Sequence, residues 1–498
     1  MMITSYSQLL YLAMPEVIVV LTALLALASD LLFFRNQQLR VRFGVAAGLA
    51  STGCAVAIGR LIYSSAQANV FDGMLVANPL TQLVQVALLV LTIVTLLLCV
   101  DSTFTEHVGE FVLLILLATT GMMFLVGTQD ILVIFISLEL LSLSLYALTA
   151  FDKGTPQSSE AALKYFLFGG VCSAFLLFGF SLLYGLSGST HLTQIALALH
   201  GSTLNPLIVI AVVCTVIGFG FKVAAVPFHF WAPDVYERAP IPAAAFVASA
   251  SKVASFFIFF QIMLLGFAPV EGSAAWMRIA DGWVPLVTAV AIGSMLLGNL
   301  VAIVQTSARR LLAYSAVAHA GYMLLALVAH TQQSLAALLY YVITYGLATL
   351  GIFGVIGVVE KQTGSDRLTN FNGLSRRAPV LSACFFVFIL SLAGIPPLAG
   401  FFGKFYLFVS ALNIVGGPHG LLWLVIFAIA TSAISLYYYL QVLKRAFVAS
   451  PPAGATDIQT PALTQAVIIL LAASVMLLGC APHLLLSWID AAFRATGL

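Results

Sequence analysis

The chain has 498 residues, 62% hydrophobic and 8% charged, with a formal net charge of +2. Soluble domains carry about 25% charged residues, so this composition excludes a soluble globular protein and offers no basic face for nucleic acid. Cys54, Cys99, Cys172, Cys214, Cys384 and Cys480 stand singly in apolar stretches, without CxxC or metal-ligand spacing, which argues against a disulfide framework, haem or an iron–sulfur cluster.

A bilayer core about 30 Å thick needs about 20 apolar residues in a helix. Helices also satisfy the backbone where no water is present. Fourteen spans are predicted on this basis. The first, 10–34, lacks a basic region ahead of it and is followed by Arg35, Arg40 and Arg42, so it reads as an uncleaved span. Glu16 and Asp30 lie near its ends. Next come 43–63, whose Arg60 can snorkel to the headgroups, and 78–100. Spans at 109–127, 130–150 and 161–185 bring Glu139, a carboxylate near mid-span, and Lys164 at the start of span 6.

Span 7, 206–226, runs into "GFGFKVAAVPFHFWAPD", which holds Lys222, Pro227 and His229. Gly220 and Pro227 predict a break there. Span 8, 240–266, carries Lys252 in its middle. Spans 9 to 11 cover 284–305, 309–329 and 334–358. His319 lies in span 10, between Ser315 and Tyr322. Span 12, 380–412, is also expected to be broken, because Pro396, Pro397, Gly400 and Gly403 precede Lys404. Spans 13 and 14 cover 421–446 and 463–486.

Lysine and arginine set the expected orientation. Fourteen lie at the ends of the loops after odd-numbered spans, against two, Arg278 and Arg494, on the other side. The odd-numbered loops are then cytoplasmic and both termini lie outside.

Lys222, Lys252, Lys404 and Glu139 fall inside the apolar spans. Each such charge costs about 3 kcal/mol or more. Two readings fit the set. One is static ion pairing that holds helices together, with snorkelling lysines. The other is a proton path, since a desolvated lysine beside a mobile carboxylate can load and release a proton, which arginine cannot. Histidine titrates near neutral pH, so His319 and His229 fit a relay equally. A hydrogen-bonded core residue and an interfacial anchor are their respective alternatives.

An imperfect repeat is visible. "GFGFK" ends at Lys222 and "GFFGK" at Lys404, 182 residues later, and Glu139 and His319 precede these lysines by 83 and 85 residues. Lys252 has no charged counterpart, since Ile434 stands at the matching place.

"GFGFKVAAVPFHFWAPDVYERAP", "SKVASF", "NLVAIVQTSARRLLAYSAVAHAGYMLLAL" and "FILSLAGIPPLAGFFGKFYLF" resemble the antiporter-like membrane subunits of complex I, the proton-translocating NADH–quinone oxidoreductase. The pattern is nearest that of its subunit N. A chain near 500 residues leaves no room for the lateral helix of subunit L, and Lys404 stands where subunit M has Glu. The resemblance implies an all-α integral membrane protein in a bacterial inner membrane. Two inverted five-helix repeats would follow an N-terminal three-helix segment, 1–108. They would occupy 109–266 and 284–446, with a C-terminal helix in 463–498. It further implies that Glu139 pairs with Lys222 and senses the neighbouring subunit. Lys252 would be the central relay and Lys404 the terminal site toward the outside, supported by Lys164, His229 and His319. Neighbouring antiporter-like and small membrane subunits would be the partners. No cofactor is expected in this chain, because NADH, flavin, iron–sulfur clusters and quinone would belong to partner subunits. The family often has Lys-Arg where Arg309-Arg310 stands, so topology anchoring suffices for Arg309. Two other functions remain open: a subunit of a cation/proton antiporter or membrane-bound hydrogenase, and a purely structural scaffold.

Overall fold

The computed structural model describes residues 6–63, 68–201, 204–412, 420–452 and 454–496. Among them, thirteen helical spans are long and apolar enough to cross a membrane. In chain order these begin with α1 (Met14–Phe34), α2 (Leu39–Tyr63), α3 (Pro79–Cys99), α4 (Val108–Val126), α5 (Ile131–Thr149), α6 (Pro156–Ser187) and α7 (Pro206–Val223). A short α8 (Trp231–Arg238) follows. The next span has two parts, α9 (Ile241–Ala248) and α10 (Ala250–Gln261), which a π-helical turn extends to Gly266. Then come α11 (Trp283–Ile303), α12 (Ala308–Ala329) and α13 (Gln332–Thr363). Predicted span 12 is divided between α14 (Pro379–Ala393) and α15 (Ala399–Leu412), each too short alone. α16 (Leu422–Phe447) and α17 (Ala462–Cys480) complete the thirteen, and α18 (His483–Thr496) follows. With the divided pair, the fourteen predicted spans are all present. A two-stranded hairpin, β1 (Ala68–Val70) and β2 (Leu75–Ala77), is the one sheet among the described residues.

The helix starts follow local chemistry. Asp130 caps α5 by accepting from the N–H groups of Leu132 and Val133. Reciprocal capping boxes open α3, through Asn78 and Thr81, and α13, through Thr331 and Ser334. Pro79, Pro156 and Pro379 occupy first-turn positions, where a missing N–H is harmless.

The chain forms two compact units. The first comprises the residues up to Phe219, Ala250–Glu271 and the chain from Ser487. Here α1 packs on α2 and α4, α5 on α4 and α6, and α10 on α3 and α4. Two buried carboxylates tie its first helices. Asp30 accepts from Arg42 through Nε at 2.8 Å and Nη2 at 2.7 Å, and from the Gly109 N–H at 2.9 Å. Arg42, expected in a loop, is therefore a buried residue of α2. Glu16 accepts from Gln85 Nε2 at 2.8 Å.

The second unit comprises Gly220–Ser249 and Gly272–Leu486. α12 and α13 are buried along nearly their whole length. α11 and α16 pack together, α12 touches α8, α11, α13 and α15, and α17 covers α13, α14 and α15. At Gly298 the backbones of α11 and α12 nearly touch: a Cβ there would sit 2.5 Å from the Ala318 nitrogen. Small residues allow such close helix contact in membranes.

Sequence reading gave no hint of one interruption. Ser249, with φ −116° and ψ −82°, divides span 8 three residues before Lys252.

Candidate proton-transfer site

Both breaks lie in the second unit, which begins with the last turn of α7 at Gly220. α7 ends at Val223, and the chain turns through Ala224, whose φ is 60°, before α8. The freed backbone is largely re-satisfied: the Ala225 N–H donates to Gly220 O at 2.8 Å and that of Val226 to Ser294 Oγ at 2.9 Å. Trp231 Nε1 donates to Phe221 O at 2.9 Å. Lys222 is buried at the end of α7, its ammonium 5.5 Å from the Phe221 ring centre. His229 is buried within the turn, its ring 4.6 Å from that of Phe230 and 6.4 Å from that of Tyr314.

The second break follows a different plan. α14 ends at Gly394, whose φ is +81°. A Cβ there would also lie 3.0 Å from the Lys404 side chain, so this position needs glycine on both counts. Lys404 projects from α15 and is buried. Its Nζ donates to Leu392 O at 3.2 Å, Ala393 O at 3.3 Å and Ser432 Oγ at 2.9 Å. Leu392 and Ala393 are the last residues of α14, where carbonyls lack intrahelical partners. The helix dipole favours a cation at that end. The ammonium is thus held by neutral oxygens at a helix terminus.

His319 lies on α12 and is 1% exposed. Its Nδ1 is 2.6 Å from Tyr341 Oη and its Nε2 3.1 Å from Tyr439 Oη. The Tyr439 hydroxyl is also hydrogen-bonded to Ser315. Nearby, Asn299 donates from Nδ2 to Tyr322 Oη at 2.9 Å, and Tyr438 Oη donates to Asn299 Oδ1 at 3.2 Å. Lys404 Nζ lies 5.1 Å from the Tyr322 ring centre. Among the predicted residues, His319 and Lys404 are therefore gathered into one tyrosine-lined polar cluster. Tyr322 is legible in the sequence beside His319, whereas Tyr341, Tyr438 and Tyr439 on apolar helices read as core. The run Tyr437-Tyr438-Tyr439 was the available signal.

The remaining predicted residues lie elsewhere. Glu139, in the middle of α5, is half-buried and accepts from Ser173 Oγ of α6 at 2.6 Å. Lys252 is 1% exposed in the first turn of α10. Both belong to the first unit. Lys164, also there, has a 43% exposed side chain and pairs with Glu160 one turn earlier at 2.8 Å. Such exposed pairs contribute little.

The two matched pentapeptides occupy different places relative to the breaks. Lys222 ends the helix before its break, whereas Lys404 lies in the helix after its break. The short match marks two lysines at broken helices, not equivalent positions within them.

A family model described as NADH:quinone oxidoreductase/Mrp antiporter, TM, matches residues 128–435. The chain belongs to this family. It is 52% identical over 494 residues to NADH-quinone oxidoreductase subunit N 2 of Acidobacterium capsulatum, an alignment covering 97% of this chain and 99% of that protein. A chain of respiratory complex I from Thermus thermophilus, solved with bound aureothin, is similar in structure, with a TM-score of 0.76 and 32% identity over 95% of this chain and 98% of the other. A chain of the Mrp complex from Dietzia has the same fold, with a TM-score of 0.80 at 21% identity over 98% and 97% of the two chains.

Within this family member, Arg309 and Arg310 form a clamp on α8. Arg309 is 4% exposed. Its Nε donates to Tyr236 O at 2.6 Å, Nη2 to Ala239 O, and Nη1 lies 3.2 Å from Glu360 Oε1. Arg310 Nη1 meets Asp234 at 3.1 Å and Glu237 at 3.0 Å. Arg309 thus caps the last carbonyls of α8, and its planar fork donates to three partners at once.

Proposed function

We propose that this chain is a membrane-arm subunit of an NADH–quinone oxidoreductase that translocates protons, with quinone reduction in partner subunits as the driving reaction. The observation that carries the reading is the Lys404 site. A buried ammonium rests on two carbonyls and a hydroxyl, in the same polar cluster as the buried His319. Neutral oxygens hold the ammonium without locking it. Losing one proton leaves the amine with hydrogens to donate, and no buried anion is stranded.

In this reading Glu139 and Lys222 form a switchable pair. Lys252 carries the proton between the halves, and Lys404 releases it toward the outside. His229 and His319 support the path. The half-buried Glu139 suits a group that answers to a neighbouring membrane subunit. The proposed halves are inverted repeats at 109–266 and 284–446, in a bacterial inner membrane with both termini outside. NADH, flavin, iron–sulfur clusters and quinone belong to the partners, since the sequence has neither a clustered thiolate set nor a dinucleotide-binding glycine pattern after a strand.

The test is Lys222→Ala and Lys404→Ala in the assembled complex, scored as protons translocated per NADH oxidised in sealed vesicles. Both ratios fall sharply on this reading. Wild-type ratios in both variants would leave only a scaffold role. Purification of the tagged chain with cation-antiporter subunits and no redox subunits would instead favour the antiporter alternative.

A further inference from the structure

The N-terminal helices hold a buried carboxyl that the proposed proton path does not use. Glu16, in the first turn of α1, is 2% exposed. Its Oε1 accepts from Gln85 Nε2 of α3 at 2.8 Å. Its Oε2 is buried, and among the described residues nothing hydrogen-bonds to it. Glu16, Gln85 and the helices that carry them belong to the first unit.

The Gln85 amide has one orientation. Its Nε2 also donates to Met123 O, in the last turn of α4, at 3.2 Å. A main-chain carbonyl only accepts, so the nitrogen faces both Met123 and Glu16. Two consequences follow. The amide hydrogens already bridge the two oxygens, so a donor fills the place that a metal cation bound by them would take. Because Oε1 is engaged as an acceptor, a proton on this carboxyl belongs on Oε2.

The surroundings hold no partner for an anion. α1 packs on α2 and α4. On these helices Arg42 is bonded to Asp30, Arg40 pairs with Asp101 at 3.1 Å, and Glu110 lies 3.3 Å from His107. The Arg60 guanidinium stacks 4.2 Å from the Tyr11 ring centre. α3 carries no charged residue. The other ionisable groups on these elements, Tyr11, Cys54, Tyr63 and Cys99, are uncharged at neutral pH. A helix start favours an anion, but this one is not bare. The short helix Tyr6–Leu12 runs into α1, with Ala13 N–H donating to Leu9 O at 2.9 Å and Val17 N–H to Ala13 O at 3.0 Å. An ionised Glu16 would therefore bury a charge with one neutral donor and one bare oxygen, which is far costlier than a neutral acid with one unsatisfied hydroxyl.

We propose that Glu16 is a proton-binding site of the N-terminal helices, separate from the Glu139–Lys404 path. It rests as a neutral carboxylic acid with the proton on Oε2. Gln85 is a positioning residue that keeps Oε1 turned toward it. The proton leaves only when water or another acceptor reaches Oε2. This site does not depend on the proton-translocating reading, and a purely structural subunit would hold it equally.

Infrared spectroscopy of the assembled complex at neutral pH tests it, in light and heavy water. Wild type minus Glu16→Gln is expected to show one carboxylic-acid C=O band that moves down in heavy water, with no carboxylate bands. Gln85→Leu removes the donor to Oε1 and is expected to move that band to higher frequency. Carboxylate bands in place of the acid band, or an acid band that Gln85→Leu leaves unmoved, would overturn the proposal. Glu16→Gln matches the neutral acid in shape and charge, so full assembly is expected. If it does not assemble, the spectrum of Gln85→Leu against wild type decides alone, by whether an acid band or a carboxylate band shifts. Neither readout uses proton pumping, so a failure here leaves the Lys404 reading standing.

Discussion

Arg309 and Lys404 are both buried cations at helix C-termini, yet their surroundings differ in kind. Arg309 binds two carbonyls of the α8 end and the carboxylate of Glu360. Lys404 binds two carbonyls of the α14 end and the hydroxyl of Ser432. An anion beside a permanent cation makes a fixed bolt. A hydroxyl beside a titratable amine leaves the charge free to come and go. On the proton-translocating reading, terminal carbonyls of this kind serve architecture in one place and chemistry in the other, and the third partner decides which.

The largest expected effect comes from removing the bolt. Arg309→Ala strands two carbonyls and the part-buried Glu360, and removing one partner of such a pair costs up to about 3 kcal/mol. The yield of assembled complex, seen on native gels, should fall steeply. Full yield would erase the contrast. Next, Lys404→Arg keeps the charge but cannot release its proton. Assembly should survive while proton translocation falls about 100-fold, the size of a lost positioned acid–base group; this is read from the dye-monitored gradient. Retained pumping would mean that Lys404, like Arg309, is only structural. The smallest effect belongs to Ser432→Ala, which removes one hydrogen bond, worth about 1 kcal/mol. The complex should assemble normally and pump at a reduced ratio, and a loss of assembly would show that Ser432 is structural after all.

The fold was legible because the lipid solvent leaves few choices. Span length and the absence of water force helices, and paired prolines marked the break before Lys404. The Ser249 interruption was hidden because its serine is no obligate helix breaker. Its hydroxyl bonds Ala245 O one turn back, as mid-helix serines commonly do. His319 and Lys404 stood out as polar atoms in apolar text. Asn299 did not, since a single amide carries no charge and its meaning lies in partners on α12 and α16, distant in sequence. The pentapeptide match misled for a related reason. Glycine and phenylalanine recur easily in membrane helices, and five letters say nothing of which side of a break a lysine occupies.

The divided helix bearing Lys404 also constrains biogenesis. At 1.5 Å per residue, α14 and α15 are about 22 Å and 21 Å long, each short of a hydrocarbon core about 30 Å thick. Neither can be handed to lipid as a finished segment. The two must leave the insertion machinery together, and the buried lysine finds its carbonyl partners only once α14 is already in place. The carbonyl half of the site is made before the lysine, and Ser432 on α16 is made after both, so the site is complete only when α16 arrives.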